Sequence, residues 1–230
     1  MLDRRGQDMP IIKGEGQLGY FVHIPKCGGT SVERYMADVG LKLAMIDVSH
    51  LGRPSPYKWN KSSPQHIDAY SLSRLFPADF FDLSFAIVRN PIKRLESAFL
   101  FNRRLRKNKI TAPSLNDFVH SRLAEVSKTA GAHDNHFWPQ SKFVPETGCK
   151  VFRLEDGMAQ VKEFIDDAFF GRPTEQEIGH KNAARRKDEP QAEILWLDDA
   201  ALNIVQEVYG EDAERFGYGL APDRFNQSGS

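Results

Sequence analysis

The sequence predicts an α/β fold, a three-layer sandwich in which helices flank a mainly parallel central sheet. Three short apolar runs are typical of buried strands: Tyr20–Ile24 (YFVHI), Ser84–Val88 (SFAIV) and Lys150–Leu154 (KVFRL). Each run is followed by a segment whose apolar residues recur at helical spacing. Because strands that alternate with helices favour parallel pairing, this pattern indicates a sheet covered on both faces. Such sheets bind ligands at the carboxyl ends of their strands.

The helices are predicted from apolar periodicity and from residues that begin or end a helix. Apolar residues recur at helical spacing over 32–39, and Gly40 is placed to end this helix. Four more segments show the same periodicity, at about 93–106, 115–126, 158–168 and 194–208. Ser114 is placed as the N-cap of the second of these helices. Leu41–Ile46 is a candidate for an additional strand.

The length and composition are those of one globular domain. A chain of 230 residues with 40% hydrophobic and 27% charged residues is too apolar for intrinsic disorder. We therefore predict a single domain over residues 1–230, with loosely structured ends at about 1–18 and 226–230.

Charge and cysteine content restrict the class and location of the protein. The 31 basic residues balance the 31 acidic ones, so we expect no nucleic-acid partner. No apolar run reaches the about 18 residues of a membrane span, and no signal peptide is recognisable. Two cysteines, Cys27 and Cys149, are too few for a secreted disulfide scaffold. We expect a cytoplasmic protein without a membrane span.

The neutral balance conceals two basic clusters. Residues 89–109 contain eight basic side chains and one acidic one, Glu96. The second cluster consists of Lys181, Arg185, Arg186 and Lys187. Such charges most often form a solvated face, but two clusters in a neutral chain could also converge on one polyanionic ligand.

The segment His23–Ser31 (HIPKCGGTS) joins the first strand to a helix and is typical of a phosphate-binding loop. Gly28–Gly29 allow a tight bend that brings backbone N–H groups close to an anion. Thr30–Ser31 add hydroxyl groups at the helix N-terminus, where free N–H groups and the helix dipole favour negative charge. Lys26 supplies a positive charge on a mobile side chain. Together these features favour a phosphate loop over an ordinary strand–turn–helix junction.

The order of residues differs from that of nucleotide triphosphatases. In their loop, G-x-x-x-x-G-K-[ST], the lysine follows the glycines, whereas Lys26 precedes them. A metal-dependent phosphoryl transferase also needs an acidic residue after a strand to hold magnesium. Here Ser84–Val88 is followed by Arg89, whose guanidinium would bind an anion directly and repel a metal. The two loops therefore predict a P-loop-like fold that binds a phosphate-bearing ligand without a metal.

HIPKCGGTS together with residues 85–99 (FAIVRNPIKRLESAF) resembles the sulfotransferase family. This family transfers a sulfuryl group from 3′-phosphoadenosine-5′-phosphosulfate (PAPS), and the resemblance is to the branch of Golgi-type carbohydrate sulfotransferases and their bacterial relatives. It implies that Lys26, Gly28, Gly29, Thr30 and Ser31 hold the 5′-phosphosulfate. By the same resemblance, Arg89 and Ser97 hold the 3′-phosphate.

Four later segments resemble further blocks of the family. They are 136–144 (HFWPQSKFV), 149–157 (CKVFRLEDG), 180–188 (HKNAARRKD) and 208–218 (VYGEDAERFGY), so that the resemblance extends from about Tyr20 to Tyr218. The late basic block implies that Lys181 and Arg185 close over PAPS as a lid, although a solvated loop is an alternative.

A general base is needed to remove the proton of the acceptor hydroxyl. Relatives carry a histidine in a place comparable to that of His66, and imidazole titrates near neutral pH. A histidine that only begins a helix is the alternative interpretation of His66, and Glu155 is the next candidate base. His133 and His136 lack a third ligand at zinc-like spacing, and we predict no metal. Cys27 is expected to pack rather than react.

The sequence thus predicts a PAPS-dependent sulfotransferase that acts on an acceptor hydroxyl, with carbohydrate favoured by the family branch. Lys26 and His66 are the candidate catalytic residues. Two alternatives stay open at this point. One is a metal-dependent nucleotide kinase, and the other is a non-catalytic module that binds polyanions through the basic segment 89–109.

Overall fold

A computed structural model describes residues 10–45, 50, 60–105, 110–179 and 194–220. Its centre is a five-stranded sheet in the order β3-β1-β2-β4-β5. The strands are β1 (Ile11–Lys13), β2 (Leu18–Val22), β3 (Lys42–Ala44), β4 (Leu83–Val88) and β5 (Lys150–Arg153). The three predicted buried strands are present, each shifted by one or two residues at its ends. Helices flank the sheet, and the predicted α/β class is confirmed.

The sheet is mixed. β2, β4 and β5 are parallel neighbours, with Val22 opposite Ala86 and Val88 opposite Arg153. β1 runs antiparallel to both β2 and β3. The prediction of a mainly parallel sheet therefore holds only for the three strands whose carboxyl ends meet at one edge.

The N-terminal hairpin accounts for this difference. Ile11–Lys13 form β1, and the side chain of Ile12 is fully buried, so the expectation of a loosely structured stretch is wrong at these positions. The N–H of Gly14 donates to the carbonyl of Gln17 (3.1 Å) and closes the turn into β2. A strand of three residues is too short for its alternation to stand out in a polar, glycine-containing segment.

A helix follows each parallel strand. The helices are α1 (Gly29–Asp38), α2 (Ala69–Ser73), α3 (Pro91–Arg103), α4 (Leu115–Phe118), α5 (Ala124–Val126), α6 (Ala159–Phe170) and α7 (Asp199–Phe216), and a π-helical turn (Val119–Leu123) joins α4 to α5. Ser114 caps α4, as predicted, in a capping box with Asp117. The carboxamide of Asn90 accepts from the N–H groups of Ile92 and Lys93 and sets the start of α3 at the end of β4.

Two hydrophobic clusters support the sheet and the helices beside it. One is built on β2 and β4 and the inner sides of α1 and α6, with Phe21, Val32, Phe85 and Ile165 at its centre. The other joins α3 to the α4–α5 segment and α7, around Phe99, Phe118 and Val205. The first cluster fixes β2 and β4, and the second fixes α3, so the segments that carry the predicted phosphate contacts are anchored on both sides. Within the described residues, no helix is long and apolar enough to cross a membrane.

Candidate functional site

The loop between β2 and α1 has the backbone geometry of an anion-binding site. Lys26 and Gly28 both have positive φ angles, 70° and 85°, so the chain reverses tightly before α1 begins. The N–H groups of Cys27 and Ser31 donate to carbonyls within the loop. Those of Gly28, Gly29 and Thr30 form no hydrogen bond with the residues that the structure describes. Three free N–H groups at a helix N-terminus provide a site for a phosphate-like anion.

Close packing requires the glycine at position 29, and backbone conformation favours the glycine at position 28. A Cβ on Gly29 would lie 2.3 Å from Nε2 of His23, whose ring occupies that space. A Cβ on Gly28 would lie 2.7 Å from the methyl group of Met158, at a φ that L side chains rarely adopt. Thr30 is exposed at the start of α1, whereas Ser31 is buried.

Lys26 lies between an aromatic ring and other basic groups. Its Nζ is 4.0 Å from the centre of the Phe101 ring, a cation–π contact that orders the side chain. Burial, together with the positive charges of Arg89 and Arg104, lowers the pKa of Lys26 to about 8. A bound anion would therefore offset the repulsion between the Lys26 ammonium and the guanidinium groups of Arg89 and Arg104.

Arg89 lies beside this loop. Its Nη1 donates to the carbonyl oxygen of Lys26 (3.3 Å), which joins the end of β4 to the turn after β2. The guanidinium is half-buried. The structure therefore brings together two predicted phosphate-binding residues that are 63 positions apart in the chain.

Gln140 connects the same two segments from below. Its Oε1 accepts from the N–H of Arg89 (2.8 Å) and from Sγ of Cys27 (3.3 Å), and its Nε2 donates to the carbonyl of Arg89 (2.8 Å). Asp212, on α7, accepts from the N–H groups of Gln140 and Ser141, both at 2.8 Å. Burial raises the pKa of the Cys27 thiol to about 12, so the structure supports packing rather than nucleophilic chemistry.

Ser97 lies on α3, half-buried and one turn before Phe101. Residues four apart share a helix face, and Phe101 contacts Lys26, so Ser97 is on the side of α3 that faces the loop. Arg94, on the preceding turn, is 1% exposed and donates to three carbonyls, those of Pro25, His136 and Trp138. The buried guanidinium of Arg94 thus supports the loop, while Ser97 and Arg89 are left at its rim.

His66 ends a 3₁₀ turn (Pro64–His66) and is nearly buried, with 8% of the residue exposed. Its Nδ1 is 2.7 Å from Oδ2 of Asp134, and its ring lies edge-on to those of His23 (5.1 Å) and His136 (5.4 Å). Because His23 packs against Gly29, this contact connects His66 to the phosphate loop. Burial opposes ionisation of Asp134, but the charge and hydrogen bonds of His66 and Ser63 outweigh it and hold the pKa of this carboxyl far below its ordinary value.

His136 is the third side chain of this cluster. Asn102 donates from Nδ2 to its Nδ1 (3.0 Å), and the ring packs against Phe101. Burial and the positive charges of His66, Lys26 and Arg94 keep the pKa of His136 well below its ordinary value, although Asp134 opposes them. One ligand atom from each of His66, Asp134 and His136 lies within 4.8 Å of the others, so this group could hold a metal ion. The cluster differs from the sequence pair of His133 and His136, because it lacks His133 and contains His66 and Asp134.

A groove of about 760 Å³ lies behind the His66 backbone. Its lining includes Asn60, Lys61, Ser62, Tyr70, Asn135 and Trp138. Ser62 and Asn135 both donate to the carbonyl oxygen of His66, at 3.0 and 3.1 Å. Amide, hydroxyl and ammonium groups and the carboxylate of Asp68, beside two aromatic rings, form a surface that can hydrogen-bond a hydroxylated ligand.

Other predicted residues lie elsewhere or outside the described part. The carboxylate of Glu155 accepts from the N–H of Asn90 (2.8 Å) and from the hydroxyl of Tyr218 (2.7 Å), which ties the ends of β4 and β5 together and leaves it poorly suited to act as a base. His133 packs edge-on against Phe137 (5.4 Å). Lys181 and Arg185 lie outside the described residues, so the proposed lid stays a prediction.

Sequence reasoning missed Gln140, Asp134 and Asp212. Gln140 and Asp212 lie within segments that resemble blocks of the family, but nothing in their local pattern marks them as buried bridges. Asp134 lies between His133 and His136 in the segment H-D-N-H, and this pattern suggested only a metal-binding motif. Each of the three forms its hydrogen bonds with a segment at least 51 positions away in the chain. Local residue spacing does not reveal such partners.

Comparison with known proteins gives one result. A family model described as the sulfotransferase family matches residues 14–219. No curated protein and no solved structure matches the chain. The matched region includes the β2–α1 loop, Arg89, Ser97, His66 and Asp134.

Proposed function

Because this chain belongs to the sulfotransferase family, we propose that it transfers a sulfuryl group from PAPS to the hydroxyl group of an acceptor, with a carbohydrate as the acceptor class. The observation that carries the proposal is the contact between Arg89 and the loop of Lys26 (3.3 Å). It juxtaposes two separate cationic elements at the edge where the parallel strands end. A donor with phosphate groups at both its 3′ and 5′ positions matches two such elements.

In this proposal the β2–α1 loop binds the 5′-phosphosulfate. The free N–H groups of Gly28, Gly29 and Thr30, the hydroxyls of Thr30 and Ser31, and the ammonium of Lys26 are directed to its oxygens. Arg89 and Ser97 bind the 3′-phosphate, and Lys181 and Arg185 close over the donor. No metal is required, since cationic side chains and backbone dipoles supply the positive charge.

The transfer forms a bond between the acceptor oxygen and sulfur and breaks the bond between sulfur and the bridging oxygen of the 5′-phosphate. Adenosine 3′,5′-bisphosphate leaves with the bonding electron pair. Negative charge grows on the bridging oxygen, so Lys26 and the loop N–H groups stabilise the transition state more than the ground state. His66 accepts the proton of the acceptor hydroxyl.

The groove behind His66 supports a carbohydrate acceptor. Tyr70 and Trp138 would contact the apolar side of a sugar, and Asn60 and Ser71 would bind its hydroxyls. The lining holds one basic and one acidic side chain, Lys61 and Asp68, so its charge favours neither an acidic nor a basic sugar. The groove meets the proposed base through the two hydrogen bonds to the His66 carbonyl.

The proposed function is tested by incubating the protein with ³⁵S-labelled PAPS and a panel of neutral and acidic oligosaccharides, small hydroxylated metabolites and lipids. Label transferred to an oligosaccharide, and lost in the variants Lys26→Ala and His66→Ala, is the expected result. Heparin binding with no PAPS turnover against any acceptor would favour the polyanion-binding module instead. Thermal stabilisation by ATP and magnesium, but not by adenosine 3′,5′-bisphosphate, would favour the kinase.

His66→Ala separates a base from a structural histidine. As a base, His66 contributes about 10²–10⁴-fold to turnover, and its loss should leave the affinity for adenosine 3′,5′-bisphosphate unchanged. A variant that loses donor binding or thermal stability while turnover persists would make the histidine structural. A cytoplasmic location stays a prediction, which cell fractionation tests.

A further inference from the structure

Asp134 and His66 form a buried, directional pair beside the phosphate loop. Oδ2 of Asp134 is 2.7 Å from Nδ1 of His66, and both residues are at most 8% exposed. None of the hydrogen bonds that His66 forms with described residues involves Nε2. A carboxylate can only accept, so Nδ1 carries the proton of the neutral ring and Nε2 is left as the proton acceptor.

The carboxylate of Asp134 is itself fixed in place. The N–H of Ser63 donates to Oδ1 (2.6 Å), and the hydroxyl of Ser63 donates to Oδ2 (2.8 Å). Ser63 precedes the 3₁₀ turn that carries His66, so the carboxylate binds both ends of this turn. Its orientation toward the imidazole therefore does not depend on a flexible side chain.

The backbone around Asp134 has a strained conformation that places the carboxylate against His66. His133, Asp134 and Asn135 are three consecutive non-glycine residues with φ angles of 47°, 56° and 60°. This left-handed conformation costs free energy for L residues, and a run of three is rare. Asn135 holds the turn by accepting from the N–H of Gly131 (2.7 Å) and donating to the carbonyl of His66 (3.1 Å). Local strain of this kind is typical of functional sites.

The titratable groups that face His66 from the other elements are mainly imidazole and basic groups, and the carboxylate of Glu33, on α1, is paired with Nδ1 of His23. His23 faces it from the β2–α1 loop and His136 from the segment before Gln140, while Lys26 and Arg94 act on His136 from the loop and from α3. An imidazolium formed at His66 would meet repulsion from this side. Asp134 is the acidic group in direct contact with it.

We propose that Asp134 is a positioning residue for the transfer reaction: it holds His66 in the tautomer whose Nε2 accepts the acceptor proton, and it stabilises the imidazolium that results. This inference rests on the proposed function, because it assigns His66 the role of base. The proton moves from the acceptor oxygen to Nε2, while the proton on Nδ1 stays on the ring and Asp134 keeps its charge. The pair gives a structural reason for the burial of Ser63 against the carboxylate and for the left-handed turn at residues 133–135.

The test compares wild type with Asp134→Asn, which preserves size and the bond from the Ser63 N–H. The amide can present its NH₂ group to Nδ1 and so favours the other tautomer. We expect turnover to fall at least about 10²-fold, with the KM for the donor and the affinity for adenosine 3′,5′-bisphosphate changed less than about twofold.

A readout independent of activity is the ¹⁵N NMR spectrum of histidine-labelled protein. The proposal requires His66 to be protonated on Nδ1 in the neutral wild type and to shift toward Nε2 protonation in Asp134→Asn. Ser63→Ala is the matched control, since it removes the hydroxyl that bonds to the carboxylate (2.8 Å) and contacts Nδ1 of His66 (3.3 Å) but leaves the bond between Asp134 and His66 in place. It should lower turnover by less than about tenfold and keep the wild-type tautomer.

The results of these experiments distinguish the role of Asp134 from the proposed function and from a metal site. Full turnover and an unchanged His66 tautomer in Asp134→Asn, with His66→Ala inactive, would overturn the role of Asp134 and leave the proposed function standing. An inactive wild type with Nδ1-protonated His66 would overturn the proposed function but not the pair. If chelators abolished wild-type activity and Asp134→Asn lost a bound metal, the cluster would be a metal site and the proposal would be wrong.

Discussion

Arg89 donates a hydrogen bond from Nη1 to the backbone carbonyl of Lys26, across 3.3 Å and 63 positions of sequence. The bond connects the end of β4 to the loop after β2, and Gln140 connects the same segments through three further hydrogen bonds. The guanidinium and the loop are thus held together before a ligand binds. Such preorganisation lowers the cost of ordering the site when an anion arrives.

The first prediction concerns the 3′-phosphate. Arg89→Ala should weaken binding of adenosine 3′,5′-bisphosphate by about 1.5–3 kcal/mol, the usual contribution of a charge-assisted hydrogen bond. The loss should largely vanish for adenosine 5′-monophosphate, which lacks the 3′-phosphate. Isothermal titration calorimetry with both ligands measures the difference. Arg103→Ala is the matched control, because the Arg103 guanidinium lies over Phe99 and not beside the loop. Equal losses for the two ligands would rule out the assigned contact.

The second prediction concerns Lys26. Lys26→Met should lower turnover about 10²–10³-fold without unfolding the protein, since one transition-state donor is removed. Burial and nearby Arg89 set the pKa of Lys26 at about 8, so the wild-type lysine loses its charge as the pH rises through that value. Affinity for adenosine 3′,5′-bisphosphate should therefore decline between pH 7.5 and about 9.5 in wild type. The decline should be absent in Lys26→Met, and its persistence there would assign it to another group.

The third prediction uses two glycines at opposite ends of α1. Gly28 and Gly40 have φ angles of 85° and 88°, so alanine is similarly strained at both positions. Only at Gly28 would the new Cβ meet a neighbour, the Met158 methyl group at 2.7 Å, since nothing lies within 4 Å at Gly40. Gly28→Ala should weaken donor binding, whereas Gly40→Ala should lower thermal stability alone. Similar donor affinities in the two variants would argue against the loop as the 5′ site.

The fourth prediction concerns metal. Because Arg89 follows β4 where a metal-dependent enzyme needs an acidic residue, donor binding should be equally strong in EDTA and in magnesium. Calorimetry with adenosine 3′,5′-bisphosphate under both conditions provides the measurement. A tenfold loss of affinity in EDTA would contradict the assignment. The His66, Asp134 and His136 cluster makes this experiment informative, because its geometry permits a metal ion.

The fifth prediction concerns stability against pH. Burial and nearby positive charges keep His136 neutral in the folded protein, whereas in the unfolded chain it titrates near its ordinary pKa of about 6.5. Below that pH the unfolded chain binds a proton that the folded protein does not, so the free energy of unfolding should decrease as the pH falls. Urea unfolding between pH 7.5 and 5.5 should show this slope. His136→Gln should have a shallower slope, and an identical one would assign the effect to other groups.

Much of the site could be predicted from short segments of sequence. The glycine pair, Lys26 and the preceding strand are neighbours in the chain, and the positive φ values and free N–H groups follow from that local pattern. Asn90-Pro91 likewise set the start of α3 from two adjacent residues. The α/β class could be predicted because strands and helices of ordinary length carry their own periodicity. β1 could not be predicted because a strand of three residues is too short to show an alternating pattern.

What the tertiary structure decided is which distant groups meet. Gln140 under Arg89 and Cys27, Asp212 under Gln140, and Asp134 against His66 are contacts between segments separated by 51 to 113 positions. Hydrogen-bond partners of buried polar groups are chosen by the packing of strands and helices, and one-dimensional spacing contains no record of that packing. The sequence by itself determined the conformation of the β2–α1 loop, because that conformation depends on adjacent residues, among them Lys26 and the glycine pair. The tertiary structure decided how His66 and Arg89 are held, because His66 depends on Asp134, 68 positions away, and Arg89 on the edge where β2, β4 and β5 end together.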